Sequence, residues 1–252
     1  MRMLSRSASF FGFVGLLWAY AGMAQATLDV FACEPEWAAL AKELGGDRLE
    51  IYSATTASQD PHHIQARPSL IAKARKADLL ICTGAELEVG WLPLLLRRAG
   101  NARIQPGQPG HFLASDYVDM LEVPEKLDRR LGDIHASGNP HVHTDPRNIS
   151  GIAGPLSERL KALDPDHADH YQQRYRDFES AWQRAMRDWS ERAAVVKGAK
   201  IVVHHDFWSY LIDWLDLSKV ATLEPVPGVS PSSRHLAQLK QSLQQQSAVM
   251  IV

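Results

Sequence analysis

Cysteine is scarce in this chain: 252 residues contain two, Cys33 and Cys82. Two are too few for a disulfide framework, and neither lies near a histidine in sequence, so a two-cysteine metal site is not expected. A basic excess is missing as well. Lysine and arginine total 27 against 29 acidic residues, a formal net charge of −2, which excludes the usual electrostatic footprint of a nucleic-acid partner. No apolar run reaches the roughly 20 residues that cross a bilayer. There is no internal repeat and no low-complexity tract beyond the glutamines at 244–246. No His-Glu-x-x-His segment sets a general base beside a metal ligand. The composition, 22% charged and 45% hydrophobic, is that of an ordinary soluble globular protein.

The N-terminus reads as a targeting segment. MRMLSRSASFFGFVGLLWAYAGMAQA carries Arg2 and Arg6, an apolar run over about residues 10–22, and Ala24 and Ala26 in cleavage-site spacing. This is the pattern of a secretory signal peptide, residues 1–26, cut after Ala26, and it places the mature protein in the periplasm. Cleavage would remove two of the 27 basic residues and none of the 29 acidic ones, moving the net charge from −2 to −4. VFAC at 30–33 resembles a lipoprotein box only loosely, since Gln25, Thr27 and Asp29 separate it from the apolar run. Export also bears on the cysteines. Cys33 and Cys82 each end an expected strand, and a bridge between them persists outside the cytoplasm if those strands are neighbours. Two buried free thiols are the alternative.

Short apolar runs alternate with helical patterns. Residues 28–33, 49–54 and 78–84 read as buried strands, with helices between them, and this order predicts a parallel sheet covered on its faces. Asp145 and Pro146 open a helix as cap and first residue, with Gly154 and Pro155 inside it. A second begins at Asp164 and runs to about Val196, roughly 48 Å. Its stripe Tyr171, Tyr175, Phe178, Trp182, Ala185, Trp189, Ala193 and Val196 reads as core packing. Strands at 200–205, 219–225 and 247–252 follow, alternating with helices. The expected architecture is α/β in two lobes, each a parallel sheet flanked by helices, joined by one long α-helix. The N-terminal lobe is 27–145, the helical connector 146–198 and the C-terminal lobe 199–252. The last strand has no covering helix after it, so a truncated chain is expected.

Eleven histidines remain to be placed. Three clusters stand out: DPHH around His62 and His63, NPHVH around His141 and His143, and VVHHDFW around His204 and His205. His62 follows one expected strand after a short loop, His205 follows another directly, and His141 precedes the helix leaving the first lobe. All three can face the crevice beyond the strand ends, where open α/β sheets bind ligands. Pro61 and Pro140 fix φ and so lower the entropy lost in holding a ring for a metal. Three imidazoles with a fourth donor make a tetrahedral zinc site, whereas manganese prefers oxygen. His63, His143 and His204 are neighbours of these ligands whose rings point elsewhere, as wall or supporting groups. His135, in a glycine-bearing loop, is an auxiliary candidate. His111, His167, His170 and His235 read as surface or internally bonded residues.

These segments carry a family likeness. SQDPHHIQARPS resembles the first metal-binding segment of the zinc and manganese solute-binding proteins of ABC transporters. GNPHVHTDPRN resembles the second, VVHHDFWSYL the third, and EPVPGVSPSSRHL a further stretch of that family. The resemblance covers nearly the whole mature chain. It implies His62, His141 and His205 as metal ligands and Zn2+ as transported cargo, manganese binders tending to carry glutamate at the third position. The family's fourth ligand, an aspartate, would lie beyond residue 252, and the histidine-rich loop of zinc members is reduced to the segment around His135. The implied protein is a monomer and not an enzyme. It hands zinc to an ABC permease at the inner membrane, with a periplasmic metallochaperone as a further partner. A zinc-dependent hydrolase, or a metal-binding adhesin or chaperone on the same fold, are the competing readings.

Overall fold

The apolar runs build two parallel sheets. The computed structural model describes residues 27–126, 135–244 and 248–251. The secretory signal expected over residues 1–26 lies outside the described residues. In the first sheet, β1 (Leu28–Ala32), β2 (Leu49–Ser53), β3 (Leu79–Cys82) and β4 (His111–Leu113) stand in the order β2-β1-β3-β4, every pair parallel. Parallel neighbours need crossovers, and α1 (Pro35–Gly45), α2 (Pro68–Lys76) and α3 (Leu92–Ala99) supply them. Each has proline in its first turn, where a missing N–H costs little. The sequence reading did not contain β4. Its three residues are too few to show a period, and pairing with β3 alone makes them a strand.

Two helices follow: α4 (Pro146–Leu163) and α5 (Ala168–Ala193). Asp145 caps α4 as expected, accepting the N–H of Arg147 at 2.7 Å. The period-two pleat divides the first sheet's core between its faces. Val30, Ala32, Leu79 and Ile81 pack with Trp37, Leu40 and Leu44 of α1 and with Ile152, Leu156 and Leu160 of α4. Phe31, Leu80 and Cys82 pack on the other side with Leu70 and Ala74 of α2 and Leu95 of α3. Cys33 and Cys82 stand at the carboxyl ends of neighbouring strands and form a disulfide across 49 residues. Both are fully buried.

The 26 residues of α5 span about 39 Å. This is shorter than the expected 48 Å, because one-turn 3-10 segments at Pro165–His167 and Ala194–Val196 take up its ends. Tyr171 is buried, and Tyr175 and Phe178 pack against the core. Beyond them the stripe leaves the core, against expectation: Trp182, Ala185, Trp189, Ala193 and Val196 are only partly buried. The rings pack on one another instead, Phe178 with Trp182 and Trp182 with Trp189, each at 5.3 Å between centroids. The chain then forms β5 (Lys200–Val203), α6 (Ser209–Leu215), β6 (Ser218–Thr222), α7 (Ser233–Leu243) and β7 (Met250–Ile251). This second sheet is also parallel, in the order β6-β5-β7. Among the described residues no helix is long and apolar enough to cross a membrane.

Candidate metal centre

His62 lies in a 3-10 turn, Pro61–His63, on the loop after β2. Asp60 caps that turn, accepting the backbone N–H of His62 at 2.9 Å and standing 2.8 Å from its Nδ1. Burial alone would push the Asp60 carboxyl up, but hydrogen bonds from the His62 backbone and ring outweigh it and the pKa is lowered. An ionised carboxylate only accepts, so Nδ1 carries the ring proton and Nε2 presents its lone pair. His205 is held the same way. It follows β5, and its Nδ1 lies 2.7 Å from Oε2 of Glu224, just past β6. A carboxylate behind the ring is the arrangement that orients metal-ligating imidazoles.

His141 follows Pro140, with its backbone N–H donating to Asn139 Oδ1 at 3.0 Å. The ring is buried, 4.5 Å from the Phe207 ring, and its Nδ1 has no hydrogen-bond partner among the described residues. Burial, and then the neighbouring imidazoles His143, His62 and His205, lower its pKa to about 2. The ring is therefore neutral at physiological pH, which is the ligating form.

The three rings converge. Centroids are 5.5 Å apart for His141 and His205, 5.7 Å for His62 and His141, and 6.3 Å for His62 and His205. Imidazoles sharing a tetrahedral ion at about 2.0–2.1 Å have centres about 5 Å apart, so this set is open, with His205 the far member from His62. The ligand nitrogens of the three do not all come within 4.8 Å of one another, and the rings must move closer to grip one ion. His135 joins them: its ring is 5.3 Å from that of His62, and the two Nε2 atoms are 3.2 Å apart. Two nitrogens on one tetrahedral ion are separated by about 3.3 Å. A cavity of 220 Å³ opens beside the cluster, lined by His135, His141, His205, Glu122 and Asp206.

The remaining candidates fall outside. The side chains of His63 and His204 are 71% and 62% exposed, and each stands about 4 Å from a carboxylate, Asp60 at 3.9 Å and Glu224 at 4.0 Å respectively. His143 is a wall residue. Its ring meets Trp37 and Phe207 edge-on, and Nδ1 is 3.3 Å from Glu36 Oε1 without hydrogen-bond geometry. Burial lowers its pKa, against the raising effect of Glu36.

Sequence reading missed the carboxylates Asp60 and Glu224; the only signal was an acid two residues before His62. It also missed a buried acid pair beside the disulfide. Glu34 and Glu88 are each 2% exposed, and both accept the N–H of Thr83, at 3.2 and 2.7 Å. Burial pushes Glu88 up to about 7, against the hydrogen bonds it accepts. Burial and then the Glu88 charge push Glu34 well above the usual range. Among the described residues, Cys33, Cys82 and Glu88 form the group whose potential ligand atoms all lie within 4.8 Å of one another, but both sulfurs are in the disulfide.

Two parallel sheets with an imidazole cluster beyond their carboxyl ends define an α/β binding protein of the cleft type. The chain belongs to the family described as zinc-uptake complex component A, periplasmic (ZnuA), whose profile matches residues 30–252. The manganese ABC transporter substrate-binding lipoprotein PsaA of Streptococcus pneumoniae serotype 4 is 25% identical over 151 residues, 60% of this chain and 47% of that protein. The metal ABC transporter substrate-binding lipoprotein ScbA of Streptococcus cristatus is 22% identical over 176 residues, covering 70% and 54%. The chain thus spans about half the length of the curated relatives it matches. Among solved structures, ZnuA superposes with a TM-score of 0.71 at 21% identity, covering 87% of this chain and 78% of the other. The laminin-binding adhesin Lmb of Streptococcus agalactiae gives 0.69 at 21%, covering 89% and 79%. The family is one of transporter substrate-binding proteins and not of enzymes, which sets the hydrolase reading aside.

Proposed function

We propose that this chain captures a divalent transition-metal cation, zinc foremost, in the cleft between its two sheets and delivers it to an ABC permease. The observation that carries the reading is the convergence of His62, His141 and His205 from three separate segments to centroid distances of 5.5 to 6.3 Å, two of them backed by carboxylates. The 3.2 Å between the Nε2 atoms of His62 and His135 supports His135 as an auxiliary fourth nitrogen, where the family resemblance implies an aspartate. Curated relatives named for manganese leave the choice of metal to the donor set. Here that set is imidazole, which favours zinc over manganese, while copper competes on affinity. The chain acts outside the inner membrane after cleavage at Ala26, as a monomer, with a metallochaperone as a further partner. The lobes are 27–145 and 199–252, with 146–198 between them.

The test is a competition titration of zinc against a chelator, with the unaltered chain and His141→Ala. Loss of affinity by orders of magnitude in a folded variant supports the reading. An unchanged constant rejects it.

A further inference from the structure

His141 and His205 are tied together by a side chain outside the imidazole cluster. Asn139 is buried, and its Oδ1 accepts the backbone N–H of His141 at 3.0 Å. Its Nδ2 lies 2.7 Å from the carbonyl oxygen of Asp206, the neighbour of His205. The same atom is 2.8 Å from Glu122 Oε2 and 3.2 Å from Ser209 Oγ. Two N–H groups serve the two shorter contacts, and Ser209 donates to Glu122 Oε1 at 2.9 Å. Tyr210 completes the node, its hydroxyl donating to Asn139 O at 2.8 Å and accepting from Leu121 N at 3.1 Å. Leu121, Glu122 and Asn139 precede α4, whereas Asp206, Ser209 and Tyr210 follow β5. One amide therefore fastens both ligand-bearing loops.

The local sequence is built for this close approach. Gly138 adopts φ +105°, and a Cβ there would stand 2.6 Å from Leu121 O. Asn139 N donates to that same oxygen at 2.8 Å. Lys219 offsets the acids, 2.6 Å from Asp206 Oδ1 and 3.7 Å from Glu122 Oε1. A short planar head with one acceptor and two donors fits the node. Aspartate has the same shape but would set a second carboxylate against Glu122.

We propose that Asn139 is a positioning residue that holds His141 and His205 at ion-sharing separation by clamping their loops together with Glu122, Ser209 and Tyr210. A bonded node of this kind, buried at Asn139, Ser209 and Tyr210 with Glu122 at its exposed edge, keeps two loops in one arrangement more firmly than isolated contacts do. The inference rests on the metal-binding reading above.

The test compares Asn139→Asp alone with Asn139→Asp combined with Glu122→Gln, in the full chain. The single variant should lose roughly 10- to 100-fold in zinc affinity by chelator competition, as when groups that orient ligands are removed. Its Co2+ form should show a weakened tetrahedral visible absorption. In the double variant the amide introduced at position 122 can donate to the carboxylate introduced at position 139 and relieves the charge repulsion, but the N–H that met Asp206 O stays lost, so affinity and spectrum should remain below those of the unaltered chain. Melting temperatures of the metal-free chains separate this from simple damage, because a purely structural role would lower them while leaving the affinity of the folded fraction unchanged. Zinc affinity within about twofold of the unaltered chain in folded Asn139→Asp, or full recovery in a folded double variant, overturns the proposal. Should Asn139→Asp not fold, Tyr210→Phe removes both hydroxyl bonds of the node, to Asn139 O and from Leu121 N, and unchanged affinity and spectrum there would overturn it equally. Failure of the underlying reading looks different: the unaltered chain itself would bind zinc weakly, and His141→Ala would change nothing.

Discussion

Glu224 Oε2 stands 2.7 Å from Nδ1 of His205, and the two residues lie just past neighbouring parallel strands, β6 and β5. The backbone ladder extends to them, with Leu223 N donating to Val203 O and Glu224 N to His204 O. The carboxylate selects the tautomer that presents Nε2 to the cleft. Replacing Glu224 by Ala should lower zinc affinity roughly 10- to 100-fold. Glu224→Gln keeps an acceptor and should lose less. Titrations showing Ala at this position to be silent would remove Glu224 from the site.

His135 should matter less than His141, because it completes the set rather than anchoring it. His135→Ala is expected to weaken zinc about tenfold, or roughly 1.4 kcal/mol. It should also narrow the preference for zinc over manganese, since an imidazole gives way to water oxygen. Parallel titrations with both ions check this, and a ratio that does not move counts against a fourth nitrogen.

The disulfide closes a 49-residue separation between β1 and β3. In the chain-entropy account such a loop contributes about 4 kcal/mol to stability. Replacing Cys33 and Cys82 by Ser together should therefore shift the urea midpoint down strongly. Denaturation of the oxidised chain and of the double variant, side by side, measures it.

The Glu34–Glu88 pair makes stability depend on pH. The folded pKa of Glu88, about 7, lies above its ordinary 4.5, so between these values the folded chain keeps a proton that the unfolded chain has released. This contribution is fully present below pH 4.5 and is lost as pH rises through 7, at a rate of at most about 1.4 kcal/mol per pH unit. Glu34 is shifted in the same direction. Glu88→Gln removes the titrating charge and should flatten this dependence between pH 4.5 and 8, although its amide NH2 must face a backbone N–H that the carboxylate accepts. Melting curves across that range check the sign.

Much of the site was readable within short windows. DPHH, NPHVH and VVHHDFW each combine a ligand type with a stiff or strand-end backbone, and both properties are local. The Asp145 cap, the three strands β1 to β3 and the aromatic stripe of α5 were readable for the same reason. His135 was harder to place, because its approach to His62 spans 73 residues and depends on the path of the chain between β4 and α4. Glu34 and Glu88 were not singled out, since burial leaves no mark in a stretch such as CEPEW or GAELEVGW.

The chain's residues set the donor chemistry, the alternation of strand and helix, and the rule that adjacent residues on an extended segment point opposite ways. They did not settle which of each pair faces inward. That follows from packing and register: β5 beside β6 brings Glu224 behind His205 and leaves His204 outside, and the Asp60 cap turns His62 inward and His63 out. A ligand set drawn from residues 62 to 205 exists only when two sheets and their loops are assembled, because its spacing is a property of long-range contacts that no local window contains.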